Sequence, residues 1–142
     1  MALSLDDACS FVARHRRGVL VTLRRDGRPQ LSNILFLPDG DRTVRISVTD
    51  GRAKTSNLRR DPRASLHVTS PDFWSYVVLD GTVALSPVAE RTDDTVVGEL
   101  VDMYRQASGE HPDWEEFRQA MVAQGRLVAT LTPTYAYGQV AG

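Results

Sequence analysis

The sequence predicts a mainly β protein with flanking helices: a six-stranded antiparallel Greek-key barrel formed by residues 1–142 as one domain. Three observations carry that reading. Six segments show strand chemistry, either strict alternation or β-branched runs bounded by turn residues. The early connections are turns, too short for the helix that a doubly wound parallel sheet needs between successive strands. Helical periodicity is confined to the opening segment, one short basic stretch and an excursion between residues 87 and 125. A barrel this small fills its interior with side chains, so a ligand has to bind outside it or across a seam between subunits.

Taken in order, residues 4 to 15 place Leu5, Ala8, Cys9, Phe11 and Val12 on one helical face. "GVLVTLRR" is the first strand and "RPQLSNILFL" the second, joined at Asp26-Gly27 in what reads as a two-residue hairpin. "PDGD" turns the chain into "TVRISVT", where Val44, Ile46 and Val48 alternate with Arg45, Ser47 and Thr49. A short helix begins near Arg52 and has to stop by Asp61, because Pro62 follows. "RASLHVTS" is the fourth strand. The fifth, "FWSYVVLDGTVALS", runs on to Ser86, with a bulge expected at Asp80-Gly81. Val97, Leu100, Val101 and Tyr104 then share a helical face that Gly109 ends. Asp113 and Glu116 form an acidic capping box for a second helix, closed by Gly125. "RLVATLTP" is the last strand, and "TYAYGQVAG" reads as a short, partly ordered tail.

Composition narrows the function classes. A formal net charge of -1 argues against a general nucleic-acid coat, which needs a basic excess. No apolar run approaches the roughly 20 residues of a membrane span, and no secretory leader is visible, so a cytoplasmic protein is expected. Cys9 is the one cysteine, which fits a reducing compartment and a buried, inert thiol. At 142 residues the chain is near the size where dimerisation adds useful burial, so a homodimer is expected.

Several chemistries can be set aside. His15, His67 and His111 stand far apart without metal-ligand spacing. No serine sits in the Gly-flanked turn of a hydrolase nucleophile. "GRAKTS" lacks the glycines of a phosphate-binding P-loop. Asp93-Asp94 and Glu115-Glu116 read as caps at helix starts, and "ARHRRG" as a solvated helix end.

"GRAKTSNLRRDPR" stands out from this background. It gathers Arg52, Lys54, Arg59, Arg60 and Arg63 around a single carboxylate, and Lys54 is the only lysine in the chain. Arg52 and Lys54 sit at the start of a helix, where free amides and the dipole favour an anion, so phosphate is one candidate. The other reading is a solvated basic helix whose arginines pair with Asp50 and Asp61.

"RPQLSN", "RAKTSNLRRDPRAS", "WSY" and "GEHPDWEEFRQAMV", in that order along nearly the whole chain, resemble the split-barrel deazaflavin- and flavin-dependent oxidoreductases. These are relatives of pyridoxamine 5′-phosphate oxidase, here most similar to the actinobacterial branch that uses coenzyme F420. The resemblance implies an FMN-binding split barrel that is homodimeric, with the cofactor at the dimer seam. It implies that Arg52, Lys54 and Thr55 hold the cofactor phosphate and that Asn57 supports that loop. Gln30, Leu31, Ser32 and Asn33 would meet the ring and its ribityl chain, Ser47, Val48 and Thr49 would line the opposite wall, and Trp74 and Tyr76 would close the site.

No catalytic side chain or metal is implied, because the cofactor supplies the hydride. The implied activity is reduction of a planar conjugated small molecule: a biliverdin-like tetrapyrrole, an enone, a quinone or a nitroaromatic. FMN in place of coenzyme F420, and a non-catalytic carrier of the cofactor, are the alternatives. The surplus charge of Arg59, Arg60 and Arg63 suits a carboxylate-bearing tail. The chain departs from its relatives at Ser56, where many of them carry a third cation.

Overall fold

Alternating burial along the strands rolls the chain into a curled antiparallel sheet with four helices around it. The computed structural model describes residues 3–40 and 42–141; Asp41 of the "PDGD" turn and Gly142 of the tail lie outside them. In chain order the elements are α1 (Leu5–Ala13), β1 (Arg17–Leu23), β2 (Pro29–Leu35), β3 (Leu37–Asp39), β4 (Thr43–Thr49), α2 (Ala53–Arg60), β5 (Arg63–Thr69), β6 (Tyr76–Leu85), α3 (Thr95–Ser108), α4 (Trp114–Ala123) and β7 (Arg126–Gln139). The sheet order is β2-β1-β5-β6-β7-β4-β3, and every neighbouring pair is antiparallel.

The sheet has seven strands where the sequence pattern predicts six. "RPQLSNILFL" breaks at Phe36, whose side chain is buried and whose N–H donates to the Arg16 carbonyl at 2.9 Å. The residues before the break pair with β1 and those after it with β4. Two strands adjacent in the chain therefore occupy opposite ends of the strand order, and that is what curls the sheet into a half-barrel.

Two further differences are local. The β1–β2 loop contains Arg25, Asp26 and Gly27, since Arg24 and Arg28 still bond across it (Arg24 N–H to Arg28 O, 2.9 Å). Only Gly27 takes a positive φ, 85°, whereas a two-residue type I′ turn needs two such residues. The "TYAYG" segment is also strand rather than tail: β7 continues to Gln139 and pairs with β6 from Ala129 onward except at Thr134. The register shift at Asp80/Gly81 is the expected bulge. A side chain at Gly81 would collide with the Thr132 carbonyl, so the close approach of β7 requires glycine.

Strand periodicity builds the main core. Leu20, Ile46, Leu66, Leu79, Leu127 and Leu131 are essentially inaccessible and fill the barrel. α1 closes one side with Ala8, Cys9, Phe11 and Val12; Ser4 Oγ caps it by accepting from Asp7 N–H at 3.1 Å. Burial pushes the Cys9 thiol above its ordinary pKa. α3 and α4 pack against the outside of the barrel over a second cluster that includes Leu37, Val97, Leu100, Met103, Met121 and Val128. Asp113 caps α4 as expected, accepting from Glu116 N–H at 3.1 Å. Asp94, by contrast, turns its carboxylate back to the Glu90 and Arg91 amides and ties down the preceding loop. Among the described residues no helix is long and apolar enough to cross a membrane.

Candidate functional site

The entry to α2 is assembled from two strands and a helix start. Thr55 is fully buried and its hydroxyl donates to the Thr49 carbonyl at 2.7 Å, while the Arg52 N–H donates to the same carbonyl at 3.3 Å. These two bonds pin the helix to the end of β4. Arg52 is the N-cap, with extended backbone and no side-chain cap, so its guanidinium is free to reach an external anion. Lys54 lies one residue inside the first turn and is half-buried. Burial lowers its pKa, and the neighbouring charges of Arg52 and Arg126 lower it further. Among the described residues none of these three cations forms an ion pair with a carboxylate.

Arg126 is the member that sequence reasoning missed. It opens β7 directly opposite Thr49 and points its guanidinium to Ser47 Oγ at 3.5 Å and Gln124 Oε1 at 2.9 Å. Asp50 N–H donates to the Gly125 carbonyl at 2.9 Å, which holds the end of α4 beside the entry of α2. No local pattern announces this, because the proximity depends on β4 pairing with a strand far along the chain. Arg126 thus brings a further cation close to Lys54 from β7.

The remaining arginines of the basic stretch are already engaged. Arg59 pairs with Asp50 at 2.6 Å, and Arg63 with Asp61 at 2.8 Å. Arg60 spends its guanidinium on the Leu23 carbonyl and on Asn57 Oδ1. The Arg63 hydrogen bonds hold the Asp61 carboxyl down to about 2. Arg59 and Arg63 are thus ion-paired and Arg60 is hydrogen-bonded to neutral oxygens, which leaves less unpaired charge for a long anionic tail than the sequence pattern suggests.

Strand periodicity also divides the other expected site residues. Ser47 and Thr49 face outward beside the three cations, whereas Val48 is 1% exposed and belongs to the core, so its side chain is unavailable to a ligand. On β2, Gln30 and Ser32 are half-buried on the same face as Ile34; Leu31 and Asn33 lie on the opposite, outer face. Asn57 is buried and donates from Nδ2 to Thr22 Oγ1 at 3.1 Å, which ties α2 to β1. Thr55 is structural in the same sense, its hydroxyl already committed.

Trp74 and Tyr76 are not brought to this site within one chain. They lie by the end of β7 opposite to Arg126, and fourteen residues of strand at about 3.3 Å each separate those ends by roughly 40 Å of contour. Tyr76 packs on His67, ring centroids 5.7 Å apart. Trp74 sits in a loop beside Phe73, a second residue missed from sequence. Phe73 is 83% exposed and Trp74 75%. The loop is held by Asp72 Oδ1, which accepts from Ser70 Oγ at 2.6 Å and Trp74 N–H at 3.0 Å. Phe73 has φ 72°, a conformation costly for an aromatic residue. With Leu31, Leu35, Tyr135 and Tyr137 these side chains make the outer sheet face apolar and uncovered.

The family profile described as pyridoxamine 5′-phosphate oxidase matches residues 5–139. An F420 reductase is 25% identical, with TM-score 0.64 over 90% of this chain and 94% of its own. A conserved hypothetical protein, Rv2991 from Mycobacterium tuberculosis, superposes with TM-score 0.74 at 19% identity, covering 100% of this chain and 94% of its own. HutZ, the heme storage protein from Vibrio cholerae, gives TM-score 0.66 at 15% identity over 95% and 94%. The last two establish likeness of fold, that of the split barrel.

Proposed function

Since the chain belongs to the pyridoxamine 5′-phosphate oxidase family, whose split-barrel fold it has, we propose that it is a coenzyme F420-dependent reductase acting on a planar conjugated small molecule. The observation that carries the reading is the convergence of Arg52, Lys54 and Arg126 without a carboxylate partner among the described residues, within a stretch whose other arginines are engaged. Half-burying a lysine between two arginines is unfavourable unless an anion completes the group. The residues fit a phosphodiester. Lys54 contributes a point charge, Arg52 a planar fork, and the first amides of α2 point toward the same place. Ser47 and Thr49 supply uncharged hydrogen-bonding groups next to it. The 25% identical F420 reductase supports the choice of cofactor.

When bound, the reduced deazaflavin supplies a hydride to an electron-poor acceptor. This chain's part is to hold the phosphate at Lys54, to orient the ring through neutral hydroxyl and amide side chains, and to exclude water. We place a second copy of the chain over the apolar outer face, so that Phe73, Trp74 and Tyr76 become seam residues. Sedimentation at micromolar concentration tests that placement, and a monomer would overturn it. FMN is the second reading, since the same three cations serve a phosphate monoester equally well. Parallel titrations of the purified protein with coenzyme F420 and with FMN, followed by turnover with a quinone or enone, distinguish a reductase from an FMN enzyme and from a carrier. Tighter binding of FMN, or binding without turnover, would overturn the first reading.

A further inference from the structure

Strand pairing lays the outer sheet face out in rows. Asn33, Val19, His67, Val78 and Tyr137 form one row across β2, β1, β5, β6 and β7. Two residues along the strands on one side, about 7 Å away, lie Leu31, Val21, Ser65, Asp80 and Tyr135. Equally far on the other side, Leu35 pairs with Arg17 and Thr69 with Tyr76.

The two sides of the His67 row are opposite in charge. Arg17 is exposed and Asp80 half-exposed, and among the described residues neither forms an ion pair. The Asp80 carboxylate accepts from the neutral Ser65 hydroxyl at 2.6 Å. The sides are also opposite in shape. Beyond Tyr76 stands the loop of residues 70–75, which holds Phe73 at φ 72° with 83% of it exposed. An aromatic side chain kept in a costly backbone conformation and left in water serves neither local preference nor the core. Beyond Asp80 lies a hollow of about 490 Å³ between Leu23, Arg63, Thr82 and Thr134, where Gly81 contributes no side chain.

A knob and a cation on one side, with a hollow and a carboxylate at matching distances on the other, form a face complementary to itself. A two-fold axis running across the strands over the His67 row carries each side onto the other. We propose that a second copy docks in this register, setting Arg17 against the partner's Asp80 and Phe73 into the partner's hollow, each contact being made twice. Arg17 and Asp80 lie two strands apart, about 10 Å, a gap taken up by the length of an arginine side chain and the oblique crossing of packed sheets, about 30°. A different protein would have to match knob, hollow and both charges separately; a second copy does so by symmetry. The inference rests on the placement of a second copy over this face and not on the reductase reading.

Sedimentation equilibrium of the purified full chain at several concentrations measures the dimer dissociation constant. Arg17→Glu should raise it about tenfold or more, and so should Asp80→Arg, because each reversal turns two symmetric attractions into repulsions. The double variant Arg17→Glu/Asp80→Arg should recover most of that loss. Phe73→Gly should weaken the dimer without weakening the fold, since glycine takes a positive φ freely. Thr82→Trp, at an exposed position of the hollow, should fill it and weaken the dimer while the circular dichroism stays that of the parent. If Asp80→Arg does not fold, Arg17→Glu and Thr82→Trp decide. A parent that is monomeric at micromolar concentration overturns the placement and the register together. A dimer indifferent to Arg17→Glu or to Thr82→Trp, or a double variant weaker than both single ones, overturns the register alone.

Discussion

Two groups of cations, one at the entry to α2 and one beyond it, behave oppositely. Arg52 and Lys54, joined by Arg126, crowd together without a carboxylate among the described residues, and the Lys54 pKa is lowered first by burial and then by these neighbouring charges. Arg59, Arg60 and Arg63, one or two turns further on, are matched to Asp50, a backbone carbonyl with Asn57, and Asp61. The first arrangement costs folding free energy and the second returns a little. Density of charge in a sequence therefore says little about where an anion binds. What matters is which charges the fold leaves unneutralised, and proteins tolerate such unfavourable groupings where function needs them.

The largest effect expected from this contrast is on Lys54. Charge-assisted hydrogen bonds contribute about 1.5–3 kcal/mol each, so Lys54→Met should weaken cofactor binding on the order of tenfold to a hundredfold. The same variant should melt no lower than the parent, since a half-buried cation between two others is removed. Isothermal titration and a thermal scan of one preparation measure both. A fall in melting temperature with unchanged affinity would reverse the assignment of the two groups. Arg126→Ala comes next, at roughly fivefold to tenfold, because its guanidinium also spends donors on Ser47 and Gln124. Arg42→Ala, at a residue paired with Asp6 of α1, is the control that should bind normally.

Raising the pH sharpens the comparison further. A lysine whose folded pKa is lowered loses its proton earlier than an ordinary lysine as pH rises. Affinity for a phosphodiester, whose charge is constant, should then decline on the alkaline side sooner than a surface lysine would cause. The stability penalty should move the other way. It is present while Lys54 is charged in both folded and unfolded chains, and is relieved as pH rises through the lowered folded value. Lys54→Met should flatten both curves; a parent curve already flat up to the ordinary lysine range would count against the lowered pKa.

How much of this was legible beforehand follows the range of the interactions. The alternation of Val44, Ile46 and Val48, and of Ala64, Leu66 and Val68, put those side chains in the core as the period requires. The bulge at Asp80/Gly81 and the cap at Asp113 were readable because both are local backbone chemistry. The break at Phe36 was not, since "LSNILFL" is continuously strand-like and only the closure of the sheet parts it. The same holds for "TYAYG", whose pairing with β6 is a tertiary fact. Arg52 and Lys54 could be singled out from their place before a short helix. Arg126 could not, because β-pairing with Thr49 puts it there. Val48 is the opposite case: the resemblance implies a place in the site wall, while its own alternation pattern puts its side chain inside.

Arg59→Ala should change cofactor affinity by less than twofold. Its pair with Asp50 is about half exposed, and such pairs contribute roughly 0–1 kcal/mol, so the melting temperature should fall slightly. This is the mirror image of Lys54→Met: a small loss of stability with binding intact. A large loss of affinity on removing Arg59 would mean that the paired group also holds the ligand.

The smallest expected effect is at Arg63, where pH isolates the pair. Asp61 has its folded pKa depressed to about 2 by the hydrogen bonds from Arg63. A depressed carboxylate contributes stability that is present above its unfolded value, about 3.9, and lost as pH falls through the folded one. Arg63→Ala should therefore lie slightly below the parent in stability at pH 7, and the two should converge between about pH 4 and pH 2. Arg63 is largely exposed and its pair is screened by water, so the gap should be small throughout, and cofactor affinity at pH 7 should not change. The informative comparison is with Lys54→Met, whose difference from the parent develops at the alkaline end instead. If Arg63→Ala altered affinity at neutral pH while its acid unfolding curve followed the parent's, the charge of Arg63 would be facing the ligand and not Asp61, and the division between the two groups of cations would fail.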